Sequence, residues 1–308
     1  MRVITGPQNI PHPPADCAVA IGNFDGIHRG HQKIIRVLLT TAEKEGLYPL
    51  LLTFHPHPAE ILTDRKIELL QTLEQRLDEI KRSGVQMVVV ISFDHAFAQV
   101  SPEEFIQTII QQKLKAKMVV VGENFRFGKE REGDVNKLSG LAEKYGFSVQ
   151  SVPPLIIDDS VVSSSLIRNL LHQGKIESAN RLIGRPYEIE GPVIRGKSRG
   201  KKLGFPTANI HPLNDITPPG VFVSKITVGS QILPSVTHVG SKPTFGEKEI
   251  MVESYIIDYD DSLYDKKLRL QFLKKLREEK KFDTPEALSL QIKNDLKNAL
   301  SYFRKQAP

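Results

Sequence analysis

Two rhythms of apolar and polar residues run along the chain. Up to about residue 152, short apolar runs alternate with stretches of helical spacing. The runs Ala18–Ile21, Tyr48–Phe54, Met87–Ile91, Met118–Val121 and Phe147–Val152 predict buried strands. Between them, Gln32–Glu45, Thr72–Ser83, Pro102–Leu114 and Val135–Tyr145 predict helices; the first carries Ile34, Ile35, Leu38 and Ala42 on one face. Ser101 is a natural N-cap, with Pro102 at the first helical position and Glu104 at the capping-box position. Gly46, Gly84 and Gly146 each follow a helix, where a left-handed residue is wanted. Strand–helix alternation of this kind predicts an α/β fold with a doubly wound parallel sheet, whose ligands bind at the carboxyl ends of its strands.

The rhythm changes after a helical stretch, Leu166–Leu182, that ends at Gly184-Arg185-Pro186. Short runs follow without intervening helices: Tyr187–Arg195, Val221–Val228, Ile232–Val239, Met251–Tyr259 and Lys267–Leu273. They predict a small antiparallel barrel. A last helix begins at Thr284-Pro285-Glu286 and places Leu288, Ile292, Leu296, Ala299, Leu300 and Phe303 on one face. The predicted division is a domain of residues 1–183 and a second of 184–308, in keeping with a length of 308 residues.

Composition narrows the functional classes. Hydrophobic residues make up 40% and charged residues 25%, an ordinary balance for a soluble globular chain. No run of about eighteen apolar residues occurs, so no membrane-spanning helix is predicted. Met1–Pro14 lacks the apolar core of a signal peptide, and the cytoplasm is the expected location. The single cysteine, Cys17, reads as a small core residue. A net charge of +6 invites a nucleic-acid partner, yet Lys and Arg are interleaved with acids, as in Lys274-Lys275-Leu276-Arg277-Glu278-Glu279-Lys280-Lys281, and no nucleic-acid motif is present. Anionic small molecules account for the balance, with neither nucleic acid nor membrane as a partner; weak self-association stays open.

Three predicted strand ends carry unusual chemistry. After the first strand comes Gly22-Asn23-Phe24-Asp25-Gly26-Ile27-His28-Arg29-Gly30-His31, a glycine-bearing turn into a helix. A helix N-terminus offers unpaired N–H groups and partial positive charge, and imidazoles add tunable donors, so the turn suits phosphate. The second strand ends in His55-Pro56-His57-Pro58. The fourth is followed by Gly122-Glu123-Asn124-Phe125-Arg126-Phe127-Gly128, where Phe125 and its neighbours fit a flat ring while Asn124 and Arg126 hold polar edges. In the second half, Gly191 to Ser198 satisfies G-x-x-x-x-G-K-[ST], but a P-loop needs a helix at its Lys-Ser pair, and Gly200, Gly204 and Pro206 oppose one. Overlapping that decoy, Gly200-Lys201-Lys202-Leu203-Gly204-Phe205-Pro206-Thr207-Ala208-Asn209 offers backbone amides to a phosphate, with Thr207 and Asn209 presenting oxygens to a hard ion such as Mg²⁺.

These strings resemble known families in chain order. His28-x-Gly30-His31 resembles the HxGH signature of nucleotidyltransferases, and GNFDGIHRGHQ is similar to the prokaryotic bifunctional riboflavin kinase/FMN adenylyltransferase (FAD synthetase) family. The resemblance implies ATP binding by Gly22, Phe24, Asp25, Gly30, Ser163, Ser164, Ser165 and Arg168, with His28 and His31 holding phosphate oxygens. It gives His57 and Asn124 flavin-binding roles, which Phe125, Arg126 and Arg277 share. Position 165 is more often Thr in the family, and 166 more often Arg where this chain has Leu166. GKKLGFPTAN resembles the riboflavin kinase motif, implying phosphate binding by Gly200, Gly204, Pro206 and Thr207 and Mg²⁺ binding by Thr207 and Asn209. Gly240-Ser241-Lys242-Pro243-Thr244-Phe245 is a further match, with Arg commoner at 242, and Asp265 stands where the family usually has Gly. Glu253, by itself equally a solvent-facing strand acid, is by resemblance the base that takes the riboflavin hydroxyl proton.

The implied activity is therefore double: riboflavin and ATP give FMN, then FMN and a second ATP give FAD and pyrophosphate. Two other readings remain at this point: a duplicated copy with one activity, and a flavin-sensing regulator that binds nucleic acid.

Overall fold

The structure, a computed structural model, describes residues 1–10, 15–63, 66–195, 204–243 and 248–306. Proximity of Cα atoms sorts the chain into two compact units, Met1–Glu68 with Leu73–Ser163, and Leu69–Thr72 with Ser164–Pro308.

The first unit is built on six parallel strands: β1 (Arg2–Thr5), β2 (Cys17–Ile21), β3 (Tyr48–His55), β4 (Met87–Ser92), β5 (Ala116–Gly122) and β6 (Ser148–Val152). Their order is β1-β4-β3-β2-β5-β6. The chain winds outward from β2 through β3 to β4, then crosses back to set β5 on the other side of β2. That reversal makes the carboxyl ends of β2 and β5 the topological switch point, the place where ligands of such sheets bind. Strand residues alternate between two apolar layers. Val19, Leu52 and Val121 face one layer with Phe105, Ile106 and Leu138; Ala20, Leu51 and Val120 face the other with Ile35, Leu38 and Ile80. Helices therefore cover both faces: α1 (Arg29–Glu45), the short α2 (Pro58–Thr63), α3 (Leu73–Arg82), the single turns α4 (His95–Ala98) and α5 (Pro102–Phe105), and α6 (Val135–Tyr145).

The five predicted strands and the helices on either side of them are present, with three differences. The edge strand β1 escaped the apolar pattern because Ile4 is its one buried residue. The predicted helix Pro102–Leu114 starts as α5 with Ser101 as its cap, then continues as a π-helix over Ile106–Lys113. The stretch Leu166–Leu182 is two helices, α7 (Ser164–His172) and α8 (Ile176–Ile183), broken where Gly174 turns left-handed at φ 64°. Cys17 is a core residue, as expected: its thiol donates to the Leu114 carbonyl at 3.0 Å, and burial, followed by the Asp16 charge, pushes its pKa up to about 12.

The two-residue strands β7 (Ile156–Ile157) and β8 (Ser160–Val161) form a hairpin that closes the first unit. The second unit is a closed antiparallel barrel of β9 (Tyr187–Ile194), β10 (Ala208–Ile210), β11 (Gly220–Val228), β12 (Gln231–Pro243), β13 (Lys248–Ile256) and β14 (Lys267–Arg277), in the order β10-β13-β12-β11-β14-β9. Its interior combines Phe222 and Phe272 with a chain of buried hydroxyls, Ser235–Ser224–Thr237–Ser254, linked at 2.8, 2.7 and 2.7 Å. The helix Pro285–Gln306 covers Val221, Val223 and Val236 with Leu296, Ala299, Tyr302 and Phe303. Leu300, assigned to that face by its spacing, is 39% exposed instead, and Tyr302 packs on the barrel. Helix α8 also docks on the barrel: Asn180 donates to the Phe272 carbonyl at 2.8 Å and accepts the Tyr187 N–H at 2.6 Å.

Candidate functional site

The turn after β2 is shaped by its own side chains. His28 caps α1, its Nδ1 accepting the His31 N–H at 3.3 Å. With Nδ1 an acceptor, a neutral His28 carries its hydrogen on Nε2. The two imidazoles stack at 3.7 Å with an interplanar angle of 16°, and Phe24 meets the His31 ring edge-on at 5.3 Å. A Cβ on Gly30 would lie 3.1 Å from the His28 ring, so glycine there leaves the cap its place. The same Cβ position is 3.6 Å from the Val162 carbonyl, which brings the start of the serine-rich segment, up to Ser163, beside the helix N-terminus. Phe24 and Ile27 hold left-handed conformations, φ 51° and 38°, although one is bulky and the other β-branched. Such strain persists only when the surroundings over-determine it; both side chains are locked in the core.

Electrostatics reinforce the geometry. Burial, then His28, then Arg76 hold the His31 pKa well below its ordinary value, so the imidazole is neutral near pH 7. Asp25 is 3% exposed and acts electrostatically on Arg76. The loop after β3 joins this turn: His57 Nε2 lies 3.0 Å from the Asn23 side-chain amide, and its Nδ1 accepts the Ala59 N–H at 3.2 Å.

Beyond β5, the Asn124 side chain lies close over Gly122, where a Cβ would stand 3.2 Å from its oxygen and 3.7 Å from Ile34 of α1. Asn124 and Arg126 are exposed, with Arg126 donating to the Phe125 carbonyl at 2.9 Å. Phe125 stacks on buried Phe127 at 5.3 Å, so one of its faces already belongs to the core. Gly22, Phe24, Asp25, Gly30, His28, His31, His57 and Asn124 thus gather at the carboxyl ends of β2, β3 and β5. Ser163 closes the first unit, while Ser164, Ser165 and Arg168 begin α7 in the second.

On the barrel, strand register assembles a polar row. Asn209 of β10 stands opposite Glu253 of β13, which stands opposite His238 of β12. Their chain neighbours Val252, Ser254, Thr237 and Val239 are buried inside, so this row faces outward. Thr207 sits just before β10, its carbonyl 3.5 Å from the Asn209 amide nitrogen, and Phe205 packs edge-on against Tyr255 at 5.8 Å. Gly204 has φ 84°, as a phosphate-wrapping turn allows. Gly200 and Thr244 lie outside the described residues, as do the Lys-Ser pair of the P-loop decoy; Gly191 to Ile194 of that decoy are strand β9. Asp265 takes φ 62°, so an aspartate holds the left-handed position where the family uses glycine. The Arg277 guanidinium is engaged with buried Asp295 at 2.9–3.1 Å and lies 5.6 Å from the Phe282 ring centre.

Two residues beside the candidate sites were not anticipated. His238 reads as an isolated strand histidine, and only register reveals it beside Glu253; its Nε2 is 3.6 Å from Glu279. Arg76 is 4% exposed on α3, and the available signal was a cation on the helix face that carries Ile80 one turn later.

Comparison with known proteins agrees with both halves. The FAD synthetase family model matches residues 10–166 and the riboflavin kinase model residues 183–303. Curated bifunctional riboflavin kinase/FMN adenylyltransferases are similar over nearly the whole chain. The Bacillus subtilis protein is 36% identical, covering 97% of each chain; that of Buchnera aphidicola is 33% identical, covering 98% of this chain and 99% of its own. The Escherichia coli protein is 32% identical over the full length of both. A solved structure described as a macrolide-efflux protein from Streptococcus pneumoniae superposes with a TM-score of 0.90 at 29% identity, covering 96% of this chain and 98% of its own. Among the described residues of this chain, no helix is long and apolar enough to cross a membrane. With both family models matched in order and full-length relatives above 30% identity, the chain belongs to the bifunctional riboflavin kinase/FMN adenylyltransferase family.

Proposed function

We propose that the two reactions of this enzyme, riboflavin to FMN and FMN to FAD, are carried by two separate residue sets. Adenylylation uses the turn from Gly22 to His31 with His57, Asn124, Ser163, Ser164, Ser165 and Arg168. Phosphorylation uses the wall formed by Thr207, Asn209 and Glu253, with the glycine-rich segment from Gly200 to Pro206. The boundary between the activities is placed at residue 184, and the cytoplasm, where ATP is held, is its place of work.

The observation that carries the first assignment is the His28 cap. A neutral His28 that accepts the His31 N–H at Nδ1 carries its hydrogen on Nε2, at the N-terminus of α1. A triphosphate entering there meets donors already fixed in position, which is what transfer of an adenylyl group requires. The FMN phosphate oxygen bonds to the α-phosphorus as the bond to pyrophosphate breaks, and no protein atom becomes covalently attached. His57 and Asn124, at the neighbouring strand ends, hold the flavin partner.

In the second assignment Glu253 accepts the 5′-hydroxyl proton of riboflavin as that oxygen attacks the γ-phosphorus of ATP and ADP leaves. The donor set fits Mg²⁺: the Asn209 amide nitrogen turns toward the Thr207 carbonyl, leaving its oxygen on the other side, and both residues offer hard oxygens next to a carboxylate. When bound, Mg²⁺ neutralises charge on the transferring phosphates. Arg277, held by Asp295 beside the Phe282 ring, is the flavin-side residue of this set.

The test is to incubate the full chain with riboflavin, ATP and Mg²⁺ and to separate FMN from FAD over time. FMN should rise first and FAD follow; accumulation of FMN alone, with added FMN also unconverted, overturns the adenylylation assignment.

A further inference from the structure

Arg76 is a charged side chain placed where charge is costly. It is 4% exposed, at the fourth position of α3, and burial pulls its pKa below the usual guanidinium range while the Asp25 carboxylate opposes that shift. Its contacts are specific. Nη1 donates to the Asn23 carbonyl at 2.7 Å and Nη2 to the Phe54 carbonyl at 3.2 Å. Asn23 precedes the strained Phe24 in the turn after β2; Phe54 is the second-last residue of β3, just before the loop that carries His57. The Thr53 hydroxyl donates to the same Asn23 carbonyl at 3.0 Å. One planar cation therefore bridges the backbones of the two loops assigned to ATP and FMN. Its Nε is buried without a partner, as is Nδ1 of His31.

We infer that Arg76 is a positioning residue for FAD formation, a clamp that fixes the His28–His31 turn relative to the His57 loop. The inference rests on the adenylylation site proposed above. A guanidinium suits the role because its rigid fork reaches two carbonyls at once and stays charged; lysine supplies a point charge without the fork. The titratable groups that feel its charge are Asp25, His31 and His55. The His55 pKa is lowered by loss of water on one side and then by Arg76, and that of His31 by burial, His28 and Arg76 in that order. Loss of the clamp frees the turn to move, and displacement of about 1 Å between reacting groups costs on the order of 10²-fold in rate.

The experiment uses the full chain with Arg76→Met, Arg76→Lys and His31→Ala, each assayed for FAD from FMN and for FMN from riboflavin. Arg76→Met should lower kcat for FAD about 10–100-fold, with KM for ATP and FMN changing less than kcat, while riboflavin phosphorylation stays within about twofold. Its acid limb in the pH profile of FAD formation should move to higher pH, because His31 has lost a neighbouring cation. Arg76→Lys should fall between Arg76→Met and the unaltered chain in kcat and keep the acid limb in place. Unchanged kcat and an unmoved acid limb in Arg76→Met overturn the inference; so does a loss equal in both variants with the limb unmoved, which marks a structural role only. If Arg76→Met unfolds the first unit, Arg76→Lys decides: a roughly three- to tenfold loss of kcat at an unchanged melting temperature upholds the clamp, and unchanged kcat overturns it. His31→Ala separates the two levels, since intact FAD formation in that variant removes the site assignment itself.

Discussion

In the α/β unit Asp25, His28 and Arg76 are buried, at 3, 5 and 4% exposed, while Asn124 and Arg126 lie at the surface. On the barrel, Asn209, Glu253 and His238 are half-exposed on an outward-facing row of three strands. Burial at the strand ends makes each contact in the first site depend on its neighbours, because an unpaired buried polar group loses its hydration without compensation. Asn23, for instance, is held at once by Thr53, Arg76 and His57. The barrel row is set by ladder hydrogen bonds that do not involve its side chains, so a side-chain change there acts locally. The first site thus trades robustness for pre-organised charge, and the second takes its precision from a rigid scaffold.

That contrast can be broken by crossing variants with activities. His31→Ala should lower FAD formation by roughly 10²–10⁴-fold and leave FMN formation intact. Glu253→Gln should do the converse, a loss on the order of 10²–10⁴ in riboflavin phosphorylation with FAD still made from supplied FMN. Equal loss of both activities in either well-folded variant would show one shared site. Product analysis by chromatography reads both.

A smaller effect tests where the barrel unit begins. A fragment of residues 164–308 should fold and phosphorylate riboflavin, since α7 and α8 belong to that unit. A fragment of 185–308 lacks Asn180 and its two bonds to the barrel, and should melt at lower temperature while retaining kinase activity. Asn180→Ala in the longer fragment should cost about 1–3 kcal/mol by denaturant titration, because it strands the Phe272 carbonyl and the Tyr187 N–H. An inactive but folded 185–308 fragment would move the functional boundary upstream of 184.

The smallest expected effect is a pH dependence confined to the α/β unit. His31 has a folded pKa depressed below its unfolded value near 6.5. Below that value the unfolded chain binds a proton that the folded site refuses, so the contribution of neutral His31 is full above about pH 6.5 and declines as pH falls. Melting temperature should drop more steeply between roughly pH 6.5 and 5 in the unaltered chain than in His31→Ala. Parallel curves would mean that His31 titrates alike in both states.

Local patterns carried much of the design because they are short-range. Alternation of apolar runs and helical spacings is enough to specify the parallel sheet, since a strand buried on both faces must be apolar throughout, as β2 is. Helix ends were readable in Ser101, Gly46 and Gly146 because caps act within a few residues. The HxGH turn and the glycine-rich motif are contiguous strings, so both candidate sites could be named from the sequence. Arg76, His238 and the splitting of Leu166–Leu182 did not. Arg76 lies 53 residues from the Asn23 carbonyl it holds, and a lone cation on an amphipathic helix looks like any surface charge until the packing direction is known. His238 faces Glu253 only through the antiparallel register of β12 and β13, and a slip of one residue would have sent it inside with Thr237. The sequence by itself determined most of the strands and helices and which turns are candidates for phosphate, for those depend on neighbours along the chain. Tertiary structure alone decided which distant side chains meet there, because burial and strand pairing, not proximity in sequence, select the partner of a buried charge.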